Sequence, residues 1–171
     1  MGRDGPICPF VPPSIDRDAY YITLHYEADG SHAVGLREIL LNYAEWFACE
    51  FPPEKPENVY KTILVVFPGI STDWAPVLDC VHREVKSAFV KKGLMLGQFH
   101  QNCLEPAARN PFFRVSTSPI PLVAIRNMSV HDILFLDTCP EWFAEYESRF
   151  GCKYAAGKVT SVTYKQIYAR A

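Results

Sequence analysis

The sequence is short of the features that usually give a role away. Gly-rich phosphate loops, nucleophile elbows, CxxC pairs and helical HxxxH motifs are all missing from its 171 residues. That removes the signatures of nucleotide binding, α/β-hydrolase chemistry and a structural zinc site. Basic excess is lacking as well. The 17 Lys and Arg against 19 Asp and Glu leave a net charge of −2, too little to neutralise a phosphate backbone, so nucleic acid is not an expected partner. No run approaches the roughly 18 apolar residues of a membrane span. The opening MGRDGPICPF has no apolar core of an export signal. Met1-Gly2 invites N-myristoylation, but Pro6 stands where Ser or Thr is needed. The expectation is a cytoplasmic chain with no membrane association. The six cysteines (Cys8, Cys49, Cys80, Cys103, Cys139, Cys152) are scattered rather than clustered and are expected to be reduced thiols.

What the chain does have is core-forming material. Hydrophobic residues make up 49% and charged residues 21%, the balance of a globular domain, and the length fits one domain over 1–171. Pro6, Pro9, Pro12 and Pro13 make 1–18 an expected extended, proline-rich arm. The aromatic and β-branched runs Tyr20–Glu27, Lys61–Phe67, Leu94–His100 and Leu122–Met128 predict four strands. Helical spacing of Leu36, Ile39, Leu40, Tyr43, Ala44 and Phe47 predicts a helix over about 35–50. A second runs from about Thr72 to Lys92, capped by Thr72 or Asp73, with Val77, Cys80, Val81, Val85 and Phe89 as its stripe and Gly93 as its C-cap glycine. Ser129 is placed to cap a short helix containing His131-Asp132, and Glu141–Phe150 is a further helix entered at Pro140. The β-leaning Val159–Tyr164 leaves 152–171 open between an edge strand, a swapped arm and a loose tail. The fold class expected is α+β: one domain with a four- to five-stranded mixed or antiparallel sheet and helices mainly on one face.

The connection NCLEPAARNPFFRVSTSPIP between the third and fourth strands is long for a compact domain, and such loops tend to be functional. His100 stands at its entrance. Alternation puts Leu94, Leu96, Gln98 and His100 on one face of the strand and Met95, Gly97 and Phe99 on the other. An imidazole there suits a metal or haem iron, and Gly97 lets a flat group approach closely. The plainer reading is a histidine hydrogen-bonded to a loop carbonyl. Arg109, Asn110 and Arg114 in the loop, with Arg126 on the next strand, supply forks suited to carboxylates. The plainer reading there is pairing with Asp132, Asp137 or Glu105 that pins the loop.

The blocks CPFVPPSIDR (8–17), GLMLGQFHQNC (93–103), RNPFFRVSTSPIPLVAIRNM (109–128) and DILFLDTCPEWFAEYESRF (132–150) carry a resemblance. The chain resembles an uncharacterised bacterial domain family, often encoded beside natural-product biosynthesis genes, that shares CPF, GLMxGQFH and RNPxFR blocks. More remotely it is similar to the YqcI/YcgG group, whose members include haem-dependent N-oxygenases. That second likeness implies haem as cofactor, with His100 as axial ligand and Arg109, Arg114 and Arg126 near the propionates or substrate.

The function expected from these readings is a small haem-binding oxidoreductase of secondary metabolism. It would oxygenate or dehydrate a small carboxylated or amino substrate, with His100 and Arg126 catalytic. The first alternative is a cofactor-free accessory protein holding a carboxylated intermediate through the arginine loop. The second is a cofactor-independent enzyme with His100 or His131 as base and Cys103 as nucleophile. An aromatic content of 13% and the apolar tail are compatible with a homodimer.

Overall fold

Four runs of β-branched and large apolar residues pair into one sheet in the computed structural model, which describes residues 8–108 and 110–171. They are β1 (Tyr20–Leu24), β2 (Thr62–Val66), β3 (Leu94–Phe99) and β6 (Leu122–Asn127), in the order β1-β2-β6-β3. β1 and β2 are parallel, and β6 is antiparallel to both of its neighbours. Register brings the last residues of β2 and β3, Val66 and Phe99, opposite the first residue of β6, Leu122. The C-terminal ends of β1, β2 and β3 therefore share one edge of the sheet.

Helices α2 (Ala33–Glu50) and α3 (Val77–Lys91) cover one face. Leu36, Leu40, Ala44 and Phe47 from α2 and Leu78, Val81, Val85 and Phe89 from α3 close over Ile63, Val65, Leu96, Val123 and Ile125, as the spacing predicts. Cys80, expected in the α3 stripe, is exposed instead, and Leu78 takes the buried place. The helix also starts later than expected. Ser71 accepts from the amides of Trp74 and Ala75 in a turn, and Pro76 is the N-cap. Gly93 does end the helix, with a φ of 72° that favours glycine.

A second cluster packs α4 (Ile133–Leu136), α5 (Pro140–Ala155) and α6 (Val162–Arg170) around Met95, Met128 and Tyr146. Three expectations change in these outer parts. Within the proline-rich arm, residues Val11–Asp16 form the helix α1, because Pro12 and Pro13 fall in its first turn, where a missing amide costs nothing; residues 1–7 lie outside the described residues. The C-terminal segment is neither strand nor loose tail. Ser161 caps α6, whose Tyr164 and Ile167 are buried. Third, the long connection contains the hairpin β4 (Pro106–Ala107) and β5 (Asn110–Arg114). Ser129 caps the 3-10 turn Val130–Asp132 in a reciprocal capping box with Asp132, as expected. No helix among the described residues is long and apolar enough to cross a membrane.

Candidate functional site

α3 packs along β3, so a polar residue in the first turn of the helix comes to lie over the end of the strand. Asp79 is that residue. Its carboxylate Oδ1 is 3.2 Å from His100 Nε2, 3.0 Å from Gln98 Nε2 and 3.9 Å from Cys103 Sγ. Gln98 and His100 reach it because they share the strand face turned to α3. Cys103 arrives by a tight turn in which its amide donates to the His100 carbonyl. The His100 amide donates to the Ser116 carbonyl and the Ser118 amide to the His100 carbonyl, which ties the returning loop over the same corner.

Burial in this group is graded. His100 is 0% exposed and Cys103 1%, while the Asp79 side chain is 35% exposed, so solvent reaches the group through the carboxylate. With Nε2 donating to Asp79, His100 Nδ1 is left buried with no partner among the described residues. Leaving a buried polar atom unpaired costs roughly 1–3 kcal/mol, and such atoms are rare enough to need a reason. Burial, followed by the proximity of Asp79 and Glu105, pushes the Cys103 thiol up. One turn along α3, His82 bonds the Leu96 carbonyl, and burial lowers its pKa to about 4.

The ligand atoms of Asp79, His100 and Cys103 all lie within 4.8 Å of one another, an arrangement that can hold a metal ion. Tetrahedral zinc bonds of about 2.0–2.1 Å to N and O and about 2.3 Å to S imply N···O near 3.3 Å and S···O near 3.5 Å. The N···O separation of 3.2 Å matches that pattern, and the S···O separation of 3.9 Å is about 0.4 Å wider. A borderline ion that accepts imidazole, thiolate and carboxylate together fits this donor set.

The other expected site residues are not brought to this point. Gly97 faces away from α3, and a Cβ there would meet only the Phe99 ring, at 3.5 Å. Arg126 points to the same far face, where its two terminal nitrogens clamp the Asp132 carboxylate at 2.8 and 2.6 Å and its guanidinium lies over Phe10. Burial opposes that charge, but Asp132 more than compensates and keeps the guanidinium protonated. Asp132 also accepts from the Ser129 amide. This is the pinning role that stood as the plainer reading of Arg126. Arg114 and Asn110 sit exposed on β5, where Asn110 Oδ1 caps the Phe112 amide, and Arg109 lies outside the described residues. His131 bonds the Tyr164 hydroxyl at 2.8 Å and is not part of the group.

Asp79 is the member of this group that the sequence did not single out, because a helix expected to start near Thr72 puts it beyond the first turn, whereas α3 starts at Val77.

These features define a mixed α+β domain with a partly buried Asp–His–Cys group at one edge of its sheet. The chain belongs to the domain of unknown function family DUF6875, whose model matches residues 1–161. No curated protein and no solved structure matches it.

Proposed function

We propose that this protein handles a small molecule at a single borderline divalent ion, zinc by class, bound through Asp79, His100 and Cys103. The observation that carries the reading is the convergence of three chemically matched donors within 4.8 Å at the edge where three strands end. Three protein ligands leave a fourth position for water or substrate, the pattern of catalytic rather than structural zinc. Such an ion, when bound, supplies Lewis-acid polarisation of a substrate oxygen. The chain's own residues do the rest. Gln98 holds the Asp79 carboxylate from the second layer. The returning loop, bonded to the His100 backbone, keeps the imidazole out of water.

Enclosure argues against haem, because His100 is 0% exposed and a macrocycle would need an open approach to its ring. The cleft nearest to it along the chain, about 210 Å³, is below the roughly 300–1,000 Å³ that takes even a drug-sized ligand. A thiol-nucleophile mechanism is disfavoured by the burial of Cys103, which at 1% exposed leaves its sulfur no open approach for a substrate.

The test is metal content. Full-length protein incubated with cobalt(II) and dialysed should retain one ion per chain and show a thiolate-to-cobalt charge-transfer band. Cys103→Ser should lose the band and Asp79→Asn should weaken retention. Retention that is absent, or unchanged in Cys103→Ser, overturns the reading. A hemin titration giving a Soret shift abolished by His100→Ala would restore haem in its place.

A further inference from the structure

The cleft of about 210 Å³ opens at the same edge of the sheet as the Asp79–His100–Cys103 group. Its walls come from the loop that leaves β2 and from the end of the connection that enters β6. In sheets with parallel strands, ligands settle in the crevice beyond the strands' carboxyl ends, and this cleft occupies that position. Two chain links tie it to the ion site: Gln101 follows His100, and Ala75 lies four residues before Asp79.

Its lining is chemically narrow. Pro68, Ile70, Ala75 and Ile120 give it apolar walls, and its polar side chains are Thr72 and Gln101. None of the lining residues is charged or aromatic. A carboxylate or ammonium seated here would meet no counter-charge from the lining. The arginines expected to meet a carboxylate are elsewhere: Arg126 is held by Asp132, and Arg114 is out on β5. Thr72 Oγ1 donates to Gln101 Oε1 at 3.2 Å. That bond turns the carboxamide oxygen toward Thr72 and leaves its Nε2 able to donate to a ligand's carbonyl oxygen. The volume of about 210 Å³ equals about seven waters of bulk liquid, the size of a ligand of roughly ten non-hydrogen atoms.

We infer that this cleft binds a small uncharged molecule whose carbonyl oxygen accepts from Gln101, so the substrate class is a neutral amide, ester or ketone and not a carboxylate or amine. The inference rests on the small-molecule reading of the sheet edge, but the cleft is formed without the ion.

A matched trio of probes tests it. Benzamide, benzoate and benzylamine, titrated separately into full-length ¹⁵N-labelled protein, are followed in amide NMR spectra, with metal content measured on the same samples. Benzamide should shift the Gln101 side-chain amide and the backbone amides of Ile70 and Ile120, while benzoate and benzylamine leave them in place. Ile120→Trp, at a half-exposed wall, should abolish the benzamide shifts without altering ion retention; Cys103→Ser should do the reverse. Equal shifts from benzoate or benzylamine, no shift from any probe at millimolar concentration, or benzamide shifts that survive Ile120→Trp would each overturn the inference. A protein that binds benzamide but retains no ion would leave the cleft standing and remove the metal reading. The opposite result would do the converse.

Discussion

At the scale of single residues, two histidines on one helix–strand seam show how small changes in surroundings divide roles. His100 meets Asp79 and keeps one ring nitrogen without a partner among the described residues. His82, whose chain position is one turn of α3 beyond Asp79, spends its Nε2 on the Leu96 carbonyl. Burial, then Lys86, lowers the His82 pKa to about 4 from 6.5, against the pull of the carbonyl and of Asp79. Folding therefore favours the neutral ring. Above about pH 6.5 both folded and unfolded states carry it neutral and nothing is lost. As pH falls through that value the unfolded chain takes up the proton first, so stability declines until about pH 4, where the folded ring also titrates. The size is at most about 3.5 kcal/mol, from about 1.4 kcal/mol for each pH unit between the two pKa values. Urea midpoints measured from pH 7 to pH 4 should fall for the wild type and fall less steeply for His82→Gln, which can still donate to Leu96. Parallel curves would show that other groups govern acid stability.

At the scale of elements, the sheet edge is held by a close backbone contact. A Cβ on Gly69, just after β2, would stand 2.5 Å from the Tyr26 carbonyl oxygen and 2.8 Å from that of Ala28. The turn after β1 thus lies directly on the loop that carries Pro68 and Ile70 to the cleft. Gly69→Ala forces one backbone to move, and overpacking of this kind costs roughly 1–3 kcal/mol. Its denaturation midpoint should fall with the slope unchanged. Gly35→Ala is the control: nothing lies within 4 Å of its Cβ, and alanine in the α2 helix should match or exceed the wild type. If both variants unfold alike, the turn is not constrained as described. Pro68-Gly69 was readable in sequence as a strand terminator, but not the contact, because the partner carbonyls lie forty residues away. The same limit runs through the fold. The four strands and the buried stripes of α2 and α3 were legible since each depends on local periodicity. Helix α1 was not, because proline composition suggests extension unless the prolines happen to fall in a first turn. Helix α6 was hidden by the β-branched Val159, Thr160, Val162 and Thr163, whose preference is overruled by docking of Tyr164 and Ile167 into the second cluster. At the site, His100 was legible from its place at a strand end, whereas Asp79 became visible only when α3 was laid along β3.

At the scale of the whole molecule, the proposed ion would bridge α3 and the turn after β3 and so link binding to global stability. Asp79, His100 and Cys103 come from separate segments, and the unfolded chain cannot present them together. An ligand that binds only the folded state adds RT ln(1 + [L]/Kd), about 2.7 kcal/mol when free ligand is a hundredfold above Kd. For a domain of this size that is a rise in Tm of about 5–11 °C. Zinc should therefore raise the melting temperature of the chelator-treated protein by about that amount, and EDTA should return it. Magnesium should not, because a hard ion prefers an all-oxygen site. Cys49, Cys80 and Cys152 are exposed thiols able to bind zinc in folded and unfolded chains alike. Their combined replacement by serine should leave the rise intact, while Cys103→Ser or Asp79→Asn should remove most of it. The buried Arg126–Asp132 pair separates site from scaffold: breaking it with Asp132→Ala should cost about 3–5 kcal/mol yet preserve the zinc-dependent increment, because the pair lies on the opposite face of the sheet. A zinc increment lost in Asp132→Ala but kept in Cys103→Ser would mean that the ion is held somewhere other than the edge where the three strands end.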